Sequence, residues 1–211
     1  MEWVVERVIG GGEVVTERSA AVMRMFGVDM DRLRKGVEHK CSVNLGAGMI
    51  CYITGASGAG KSVLLREFYE QADESKRLDL NKIELAGDRT VVDCLEKPLA
   101  EAMKILSIVG LSDVFAMVNV PARLSEGQGY RFRLAMAMAS GKEIIFGDEF
   151  CSNLDRVTAA VIAFGVRKFA RKYGVTFVLA SSHDDLVGDL EPDVLVVRKL
   201  DGSAEVVERS A

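Results

Sequence analysis

The stretch "ITGASGAGKS", residues 53–62, decides the fold of this chain. Its glycines and its closing Lys-Ser pair match the pattern G-x-x-x-x-G-K-[ST], which requires a strand before it and a helix after it. A short apolar run, Met49–Ile53, comes before the stretch, and a helical pattern from Lys61 to Ala72 follows it. The sequence therefore predicts a strand, a phosphate-binding loop and a helix in that order.

A loop of this type curls the backbone so that successive N–H groups point inward at phosphate oxygens, and the helix N-terminus adds partial positive charge. In this chemistry Lys61 neutralises the β- and γ-phosphates of a nucleotide, and Ser62 ligates magnesium. The plain alternative is a glycine-rich turn that binds no ligand. The predicted nucleotide-binding residues of the loop are Gly55, Ala56, Ser57, Gly58, Ala59, Gly60, Lys61, Ser62 and Val63.

Short apolar runs alternate with longer helical patterns along the chain. The runs that indicate buried strands are Met49–Ile53, Glu143–Phe146, Val175–Ala180 and Val194–Val197. The helical patterns between them are Lys61–Ala72, Gln128–Ser140 and Arg156–Tyr173. This alternation predicts an α/β fold of the P-loop NTPase type, with a mostly parallel sheet between helices.

The two ends of the chain have the alternating pattern of β-hairpins. Residues 3–18 form one candidate hairpin, and residues 194–209 form another, with its turn at Asp201 and Gly202. A two-residue Asp-Gly connection is a strong hairpin signal. We therefore expect antiparallel β pieces at the ends of the parallel sheet.

The middle of the chain is less regular and favours a short, mostly helical subdomain. It contains a strand candidate, Lys82–Leu85, and a helical pattern, Leu99–Ile108. We interpret the chain as a single domain, residues 1–211, with a core at about 1–72 and 128–211 and the helical subdomain at about 73–127.

Composition indicates a cytoplasmic protein that spans no membrane. The net charge of -4 gives no excess of basic residues that would make nucleic acid or anionic lipid an obligatory partner. The 4 cysteines lack C-x-x-C spacing, and we expect them to be reduced. No stretch approaches the 18 or more apolar residues of a membrane span, and Glu2, Glu6 and Arg7 interrupt the first residues where a signal peptide would be apolar.

Acidic residues follow the second apolar run in "GDEFCSNLD", residues 147–155. Ligands of a parallel sheet bind beyond the carboxyl ends of its strands, so we expect these acids beside the phosphate loop. Asp148 is then placed to hold magnesium and Glu149 to polarise the water that attacks the γ-phosphate. The cations Mg²⁺ and Lys61 would relieve the repulsion between the two carboxylates. The alternative is an acidic pair that is simply solvated.

A capping motif lies upstream, in "ARLSEGQGYRFRLAMAMAS", residues 122–140. Ser125 and Gln128 form an S-x-x-Q capping box at the start of a helix. The plain interpretation is a well-capped, buried helix. The functional interpretation is that the helix N-terminus and the Ser125 hydroxyl form a second anion-binding site.

Together these motifs resemble those of the ATP-binding cassette (ABC) ATPases. The family's Leu-Ser-Gly-Gly-Gln signature is similar to Leu124–Gln128, and its Asp-Glu-Pro-Thr-Ser-Ala-Leu-Asp run is similar to Asp148–Asp155. The segment "VTFVLASSHDD", residues 175–185, resembles the switch segment and puts His183 where the family has a histidine that contacts the γ-phosphate. Without that resemblance, His183 would be interpreted as a surface histidine in a polar turn.

The resemblance implies that two copies close head to tail over two ATP molecules. Ser125, Gly127 and Gln128 of one copy would contact the nucleotide held by Lys61 of the other. Asp155 would communicate across that interface, although it is also a good N-cap for the helix that begins at Arg156. Both roles can hold together.

The resemblance also implies an aromatic residue that stacks on adenine, for which Phe26 is the best placed candidate. A core role for Phe26 is the alternative, and Trp3 is a second candidate. The family's metal-sensing glutamine has no evident counterpart, with Glu84 and Asp88 as weak substitutes.

The leading functional hypothesis is ATP hydrolysis with Mg²⁺, in which ATP-driven homodimerisation acts on an unidentified protein partner. The missing glutamine, together with Glu126 in place of a glycine and Phe150 in place of a proline, makes a membrane-transporter role less favoured. The phosphate loop looks closer to a soluble group related to ABC ATPases joined to acetyltransferase-like domains. Alternatives are a non-hydrolytic ATP-dependent switch, a small-molecule kinase and a nucleic-acid role; the last rests on the basic cluster Arg167, Lys168, Arg171 and Lys172.

Overall fold

The structure is a computed structural model that describes residues 1–9, 16–27, 37–85 and 87–209. Its strands are β1 (Glu2–Ile9), β2 (Val37–Asn44), β3 (Ile50–Gly55), β4 (Arg77–Asp79), β5 (Ile144–Gly147), β6 (Thr176–Ala180), β7 (Val194–Arg198) and β8 (Ala204–Glu208). Its α-helices are α1 (Glu17–Met25), α2 (Lys61–Gln71), α3 (Val91–Cys94), α4 (Leu99–Ile108), α5 (Val114–Met117), α6 (Glu126–Ala139), α7 (Arg156–Tyr173) and α8 (Val187–Leu190).

The main sheet of the described residues has the strand order β4-β5-β6-β3-β7-β8. Strands β4, β5, β6, β3 and β7 run parallel, and β8 pairs antiparallel with β7. The predicted α/β fold, the mostly parallel sheet and the C-terminal hairpin are therefore confirmed. The four predicted strands and the three predicted helices agree with the observed bounds to within a few residues.

The predicted N-terminal hairpin is wrong. β1 pairs antiparallel with β2, from Glu2 opposite Asn44 to Ile9 opposite Val37, and the two form a separate two-stranded sheet. Residues 10–15 of the predicted hairpin lie outside the described part of the chain. The second half of the prediction begins helix α1, because Thr16 and Ser19 form a capping box there.

The strand predicted at Lys82–Leu85 is also misplaced. The strand is β4, which ends at Asp79, and a 3₁₀ turn over Leu80–Lys82 follows it. The Asp79 carboxylate accepts a hydrogen bond from the backbone N–H of Asn81, 3.0 Å away, and this bond bends the chain out of the sheet. The helix predicted at Leu99–Ile108 is confirmed as α4.

Apolar packing covers both faces of the main sheet. On one face the sheet packs against α4, α6 and α7, with Phe132, Phe169 and Phe177 buried in the larger core. On the other face, α2 and the β1–β2 sheet pack against the main sheet. Trp3 of β1 is buried there, with its ring centroid 5.7 Å from that of Phe68 and 5.8 Å from that of Phe146. The predicted layer arrangement is thus present, and it leaves the carboxyl edge of the sheet open for a site. Within the described residues, no helix has the length and the apolar character needed to cross a bilayer.

Candidate nucleotide-binding site

The loop after β3 has the backbone conformation that a phosphate-binding loop needs. Gly55 has φ 139°, and a Cβ on it would lie 2.2 Å from the carbonyl oxygen of Arg198 on β7. Only glycine fits there, because the neighbouring strand passes too close for any side chain. Gly60 ends the loop with φ 83°, in the left-handed region that glycine adopts without strain.

Helix α2 begins at the end of this loop without a capping side chain. Its N-cap is Gly60, which has no side chain to accept a bond from the first turn. The backbone N–H groups of that turn are therefore available to an anion, and the helix dipole favours negative charge there. Ser62, in the first turn, is exposed, as are three loop residues, Ala56, Ser57 and Gly58.

Lys61 lies over its own loop. Its ammonium donates hydrogen bonds to the carbonyl oxygens of Gly55 at 2.9 Å and Ala56 at 3.0 Å, and the residue is only 6 % exposed. These bonds hold a positive charge at the mouth of the loop. A buried ammonium with two carbonyl partners suits the recognition of a polyphosphate, which would offer it stronger, charged acceptors.

A buried arginine that was not predicted supports the loop from beneath. Arg198, 2 % exposed, donates from Nε to the carbonyl of Ala59 at 3.3 Å and from Nη1 to the carbonyl of Gly202 at 2.7 Å. Burial lowers the pKa of Arg198. It links the phosphate loop to the turn between β7 and β8. No local pattern around residue 198 marks its contact with the phosphate loop, because Ala59 is distant in the sequence.

The carboxyl ends of three parallel strands bring the predicted residues to one edge of the sheet. β3 ends in the phosphate loop, β5 in Asp148 and Glu149, and β6 in the segment that contains His183. The strand that leads to His183, β6, lies between β5, which ends in the acids, and β3, which ends in the loop. The predicted place of the acids beside the phosphate loop stays a prediction.

The two acids have distinct surroundings. The backbone N–H of Glu149 donates to Asp148 Oδ1 at 3.0 Å, while Glu149 Oε2 accepts a bond from the Ser152 hydroxyl at 2.8 Å. Glu149 has φ 51°, a conformation that non-glycine residues seldom adopt, and it is exposed at the edge of the sheet. Asp148 is half-buried beside it. This turn directs the two carboxylates differently although they are adjacent in sequence.

An amide side chain that was not predicted lies against these acids. Asn81, after β4, accepts a bond from the backbone N–H of Asp148 at 2.8 Å and donates to its carbonyl at 3.1 Å. Asn81 thus offers an amide beside the acids, whereas no counterpart of the family's glutamine was predicted. Gln71 instead bonds the backbone of Val4 on β1, so it has a structural role. The signal for Asn81 was a polar residue directly after a strand, which was missed because that strand was misplaced.

The predicted capping box at α6 is present. Ser125 Oγ accepts from the backbone N–H of Gln128 at 3.3 Å, and Gln128 Oε1 accepts from the backbone N–H of Ser125 at 3.0 Å. Glu126 accepts a bond from the Asn153 side chain at 2.8 Å. A Cβ on Gly127 would lie 3.3 Å from Leu154. The start of α6 is therefore packed against residues 147–155 of its own chain, the acidic segment.

Asp155 is the N-cap of α7. Its carboxylate accepts from the backbone N–H of Thr158 at 3.0 Å, and the hydrogen bonds from Thr158 lower its pKa. The capping interpretation of Asp155 is thus confirmed. Its proposed role between two copies stays a prediction.

His183 follows β6 and begins a 3₁₀ turn with an exposed side chain.

The two candidates for stacking on adenine have different surroundings. Phe26 lies at the end of α1 and is 77 % exposed, and its stacking role stays a prediction. Trp3 is a core residue, 4 % exposed under α2, and cannot stack on a bound base.

The parallel sheet, the phosphate loop with its lysine, and the acids at the neighbouring strand end define the P-loop NTPase class. No protein-family model matches the chain. The sequence is 34 % identical over 176 residues to the methionine import ATP-binding protein MetN 2 of Pectobacterium atrosepticum, covering 66 % of this chain and 52 % of that protein. It is 28 % identical over 204 residues to the MetN of Vibrio vulnificus, covering 80 % and 58 %. The chain thus spans little more than half the length of these relatives.

ABC cassettes are among the solved structures that share this fold. One is a dimeric ATP-binding cassette in a post-hydrolysis state with ADP and phosphate, with a TM-score of 0.69, 18 % identity and full coverage of both chains. Another is a bacterial Atm1-family ABC exporter with ATP bound, with a TM-score of 0.67 and 17 % identity, covering 98 % of this chain and 39 % of the exporter. This chain therefore has the fold of an ABC cassette, and its sequence is similar to those of methionine import ATP-binding proteins.

Proposed function

We propose that this chain hydrolyses ATP between two copies of itself arranged head to tail. The observation that carries the proposal is the convergence of the phosphate loop, Asp148, Glu149 and His183 at one edge of the sheet. The start of α6, with its capping box, supplies the second anion-binding surface that a partner's nucleotide would need.

The chemistry follows from the groups at this edge. The loop N–H groups and Lys61 bind the β- and γ-phosphates, and Glu149 accepts a proton from the attacking water. A new P–O bond forms at the γ-phosphorus as the bond to the β-phosphate oxygen breaks, which releases ADP and phosphate. The Ser62 hydroxyl and the Asp148 carboxylate are oxygen donors of the kind that Mg²⁺ prefers, so they would hold the ion that accompanies ATP.

A Glu149→Gln variant tests this proposal. The amide keeps the size of the side chain but accepts no proton, so turnover should fall by at least about a hundredfold. ATP should then accumulate in a closed dimer, measured by light scattering with Mg-ATP. Lys61→Ala, which should lose nucleotide binding, is the control, and a Glu149→Gln protein that stays monomeric with bound ATP would contradict the head-to-tail arrangement.

Single-turnover hydrolysis distinguishes this function from a non-hydrolytic switch. We expect the unmodified chain to release phosphate from bound ATP in a reaction that depends on Glu149. Bound ATP that persists unhydrolysed, while the dimer still forms, would favour the switch.

We also propose which kind of partner uses the cycle of ATP binding and hydrolysis. Both MetN relatives are named as import ATP-binding proteins, which favours a membrane transporter subunit more than the sequence motifs did. A nucleic-acid partner is less supported, because Arg167 forms an ion pair with Glu191 and Arg171 with Asp193. Co-purification with the Glu149→Gln dimer, from membrane and soluble fractions separately, tests which partner it binds.

A further inference from the structure

The backbone of His183 is held at both of its polar groups by buried hydroxyls. Its carbonyl accepts a hydrogen bond from the Tyr52 hydroxyl at 2.5 Å, and its N–H donates to Ser181 Oγ at 3.3 Å. Tyr52 and Ser181 are each 0 % exposed, whereas the His183 side chain is exposed. The side chain therefore projects outward from a backbone that is fastened to the core.

Tyr52 has one proton, which it donates to the carbonyl of His183, and burial keeps the pKa of Tyr52 above its usual range. The Ser181 hydroxyl oxygen accepts from the N–H of His183. Both polar groups of the His183 backbone therefore have partners, as a buried polar network requires.

These hydrogen bonds connect His183 to the strand that carries the phosphate loop. Tyr52 lies on β3, opposite Leu179 of β6, and the backbone N–H of Ser181 donates to the carbonyl of Ile53 at 3.0 Å. Three residues after Tyr52, the same strand ends at Gly55 and the loop begins. A shift of His183 relative to the loop would therefore have to break bonds inside the core.

We propose that Tyr52, with Ser181, is a positioning residue that sets His183 at a fixed place relative to the γ-phosphate. The proposal rests on the ATPase function proposed above and assigns the device that aims one of its groups. A buried tyrosine could otherwise be replaced by phenylalanine with only a loss of stability. A purely structural Tyr52 and a positioning Tyr52 differ in the effect of losing the hydroxyl. The structural role predicts a loss of stability alone, whereas the positioning role predicts a loss of kcat.

The test compares Tyr52→Phe with Thr176→Val. Thr176 also lies on β6 and donates a buried hydroxyl bond, to the carbonyl of Gly46 at 2.9 Å, but at the opposite end of the sheet. We expect Tyr52→Phe to lower kcat about tenfold or more while KM and the affinity for an unhydrolysable ATP analogue change less than about twofold. Thr176→Val should lower Tm and leave kcat unchanged.

A double variant identifies the path of the effect. In a His183→Ala background, Tyr52→Phe should cause no further loss of kcat, because the group it positions is already absent. Independent, multiplying losses, or a Tyr52→Phe protein with normal kcat, would overturn the proposal. Ser181→Ala provides a second variant with the same expectation if Tyr52→Phe folds poorly.

A readout without catalysis separates this proposal from the proposed function. The chain has 2 histidines, so His39→Gln assigns their ring signals in NMR spectra. Tyr52→Phe should shift or broaden the His183 signal, and Thr176→Val should not. An unchanged His183 signal would overturn the positioning role. If the unmodified chain shows no hydrolysis that depends on Glu149, the proposed function is overturned instead.

Discussion

Single residues in the acidic segment have a backbone conformation that is intrinsically costly. Glu149 and Cys151 have φ values of 51° and 58°, and such left-handed residues cost roughly 1–2 kcal/mol each. Two hydrogen bonds oppose this cost: Phe150 N–H donates to the carbonyl of Ala180 at 2.8 Å, and Cys151 N–H donates to the Tyr130 hydroxyl at 2.9 Å. At about 1 kcal/mol for each net bond, the surrounding structure roughly offsets the strain. The turn that presents Glu149 therefore depends on its neighbours.

Arg198 gives a prediction at the same scale. Arg198→Met removes the donors to the carbonyls of Ala59 and Gly202 but keeps much of the apolar stem. Leaving buried carbonyls unsatisfied costs about 1–3 kcal/mol, and a looser loop should weaken ATP-analogue binding by about tenfold. Isothermal titration calorimetry and thermal unfolding measure the two effects.

The control for this prediction is Arg209→Met. Arg209 forms an exposed ion pair with Glu191, so its loss should change neither Tm nor nucleotide affinity appreciably. An Arg198→Met protein with normal affinity would restrict Arg198 to a structural role.

At the scale of elements, helix starts provide most of the groups at the site. α2 begins after a glycine cap and is open to an anion, whereas α6 and α7 begin with side-chain caps from Ser125 and Asp155. The difference matters because a side-chain cap occupies one of the N–H groups that an anion would otherwise use, whereas the other N–H groups of that turn stay available. The phosphate loop is thus the helix start best prepared for phosphate within one copy.

Two substitutions of Asp155 distinguish its role as a helix cap from its proposed role between the two copies. Asn caps a helix about as well as Asp, so Asp155→Asn should keep the stability that Asp155→Ala loses, as measured by thermal unfolding. A fall in hydrolysis rate for Asp155→Asn, with unchanged Tm, would then indicate a role between the two copies. Hydrolysis that follows Tm alone in both variants would leave only the cap.

The cap also has a defined pH dependence. Hydrogen bonds donated by Thr158 lower the pKa of Asp155, so its contribution to stability is complete above the ordinary Asp pKa and is lost as pH falls through the lowered value. Asp155→Asn should remove this acid-dependent part of the stability curve. Unfolding measured from neutral pH downward tests it.

At the scale of the whole molecule, the strand order places β6 between the phosphate loop and the acids. The start of α6 is fastened to the acidic segment by the bond between Glu126 and Asn153. In the head-to-tail arrangement proposed above, Ser125 and Gln128 would contact the nucleotide held by the second copy. A head-to-tail dimer would bring two such surfaces over two phosphate loops.

Ser125→Arg tests this arrangement. The bulky side chain should prevent closure, so ATP-dependent dimerisation and hydrolysis should be lost while the single copy binds ATP with normal affinity. Analytical ultracentrifugation and equilibrium binding measure the two properties. Ser140→Arg, at the other end of α6, is the matched control and should form dimers normally. Lost nucleotide affinity in the Ser125→Arg monomer would contradict the head-to-tail arrangement.

The sequence by itself determined the features that short stretches encode through their own backbone geometry. The phosphate loop, the alternation of buried strands with helices, the capping box of Ser125 and Gln128, and the Asp-Gly hairpin all depend on residues within a few positions of one another. Their dihedral preferences and local hydrogen bonds therefore act wherever the segment lies.

Only the tertiary structure decided which distant segments meet. β1 pairs with Val37–Asn44 rather than with its sequence neighbour, Asn81 lies against Asp148, and Arg198 supports Ala59. The same holds for the hydroxyl of Tyr52 on the carbonyl of His183, 131 positions away. Such contacts follow from the packing of a whole sheet, where strand order and register are set by many weak burial and pairing energies at once, and no local pattern records them.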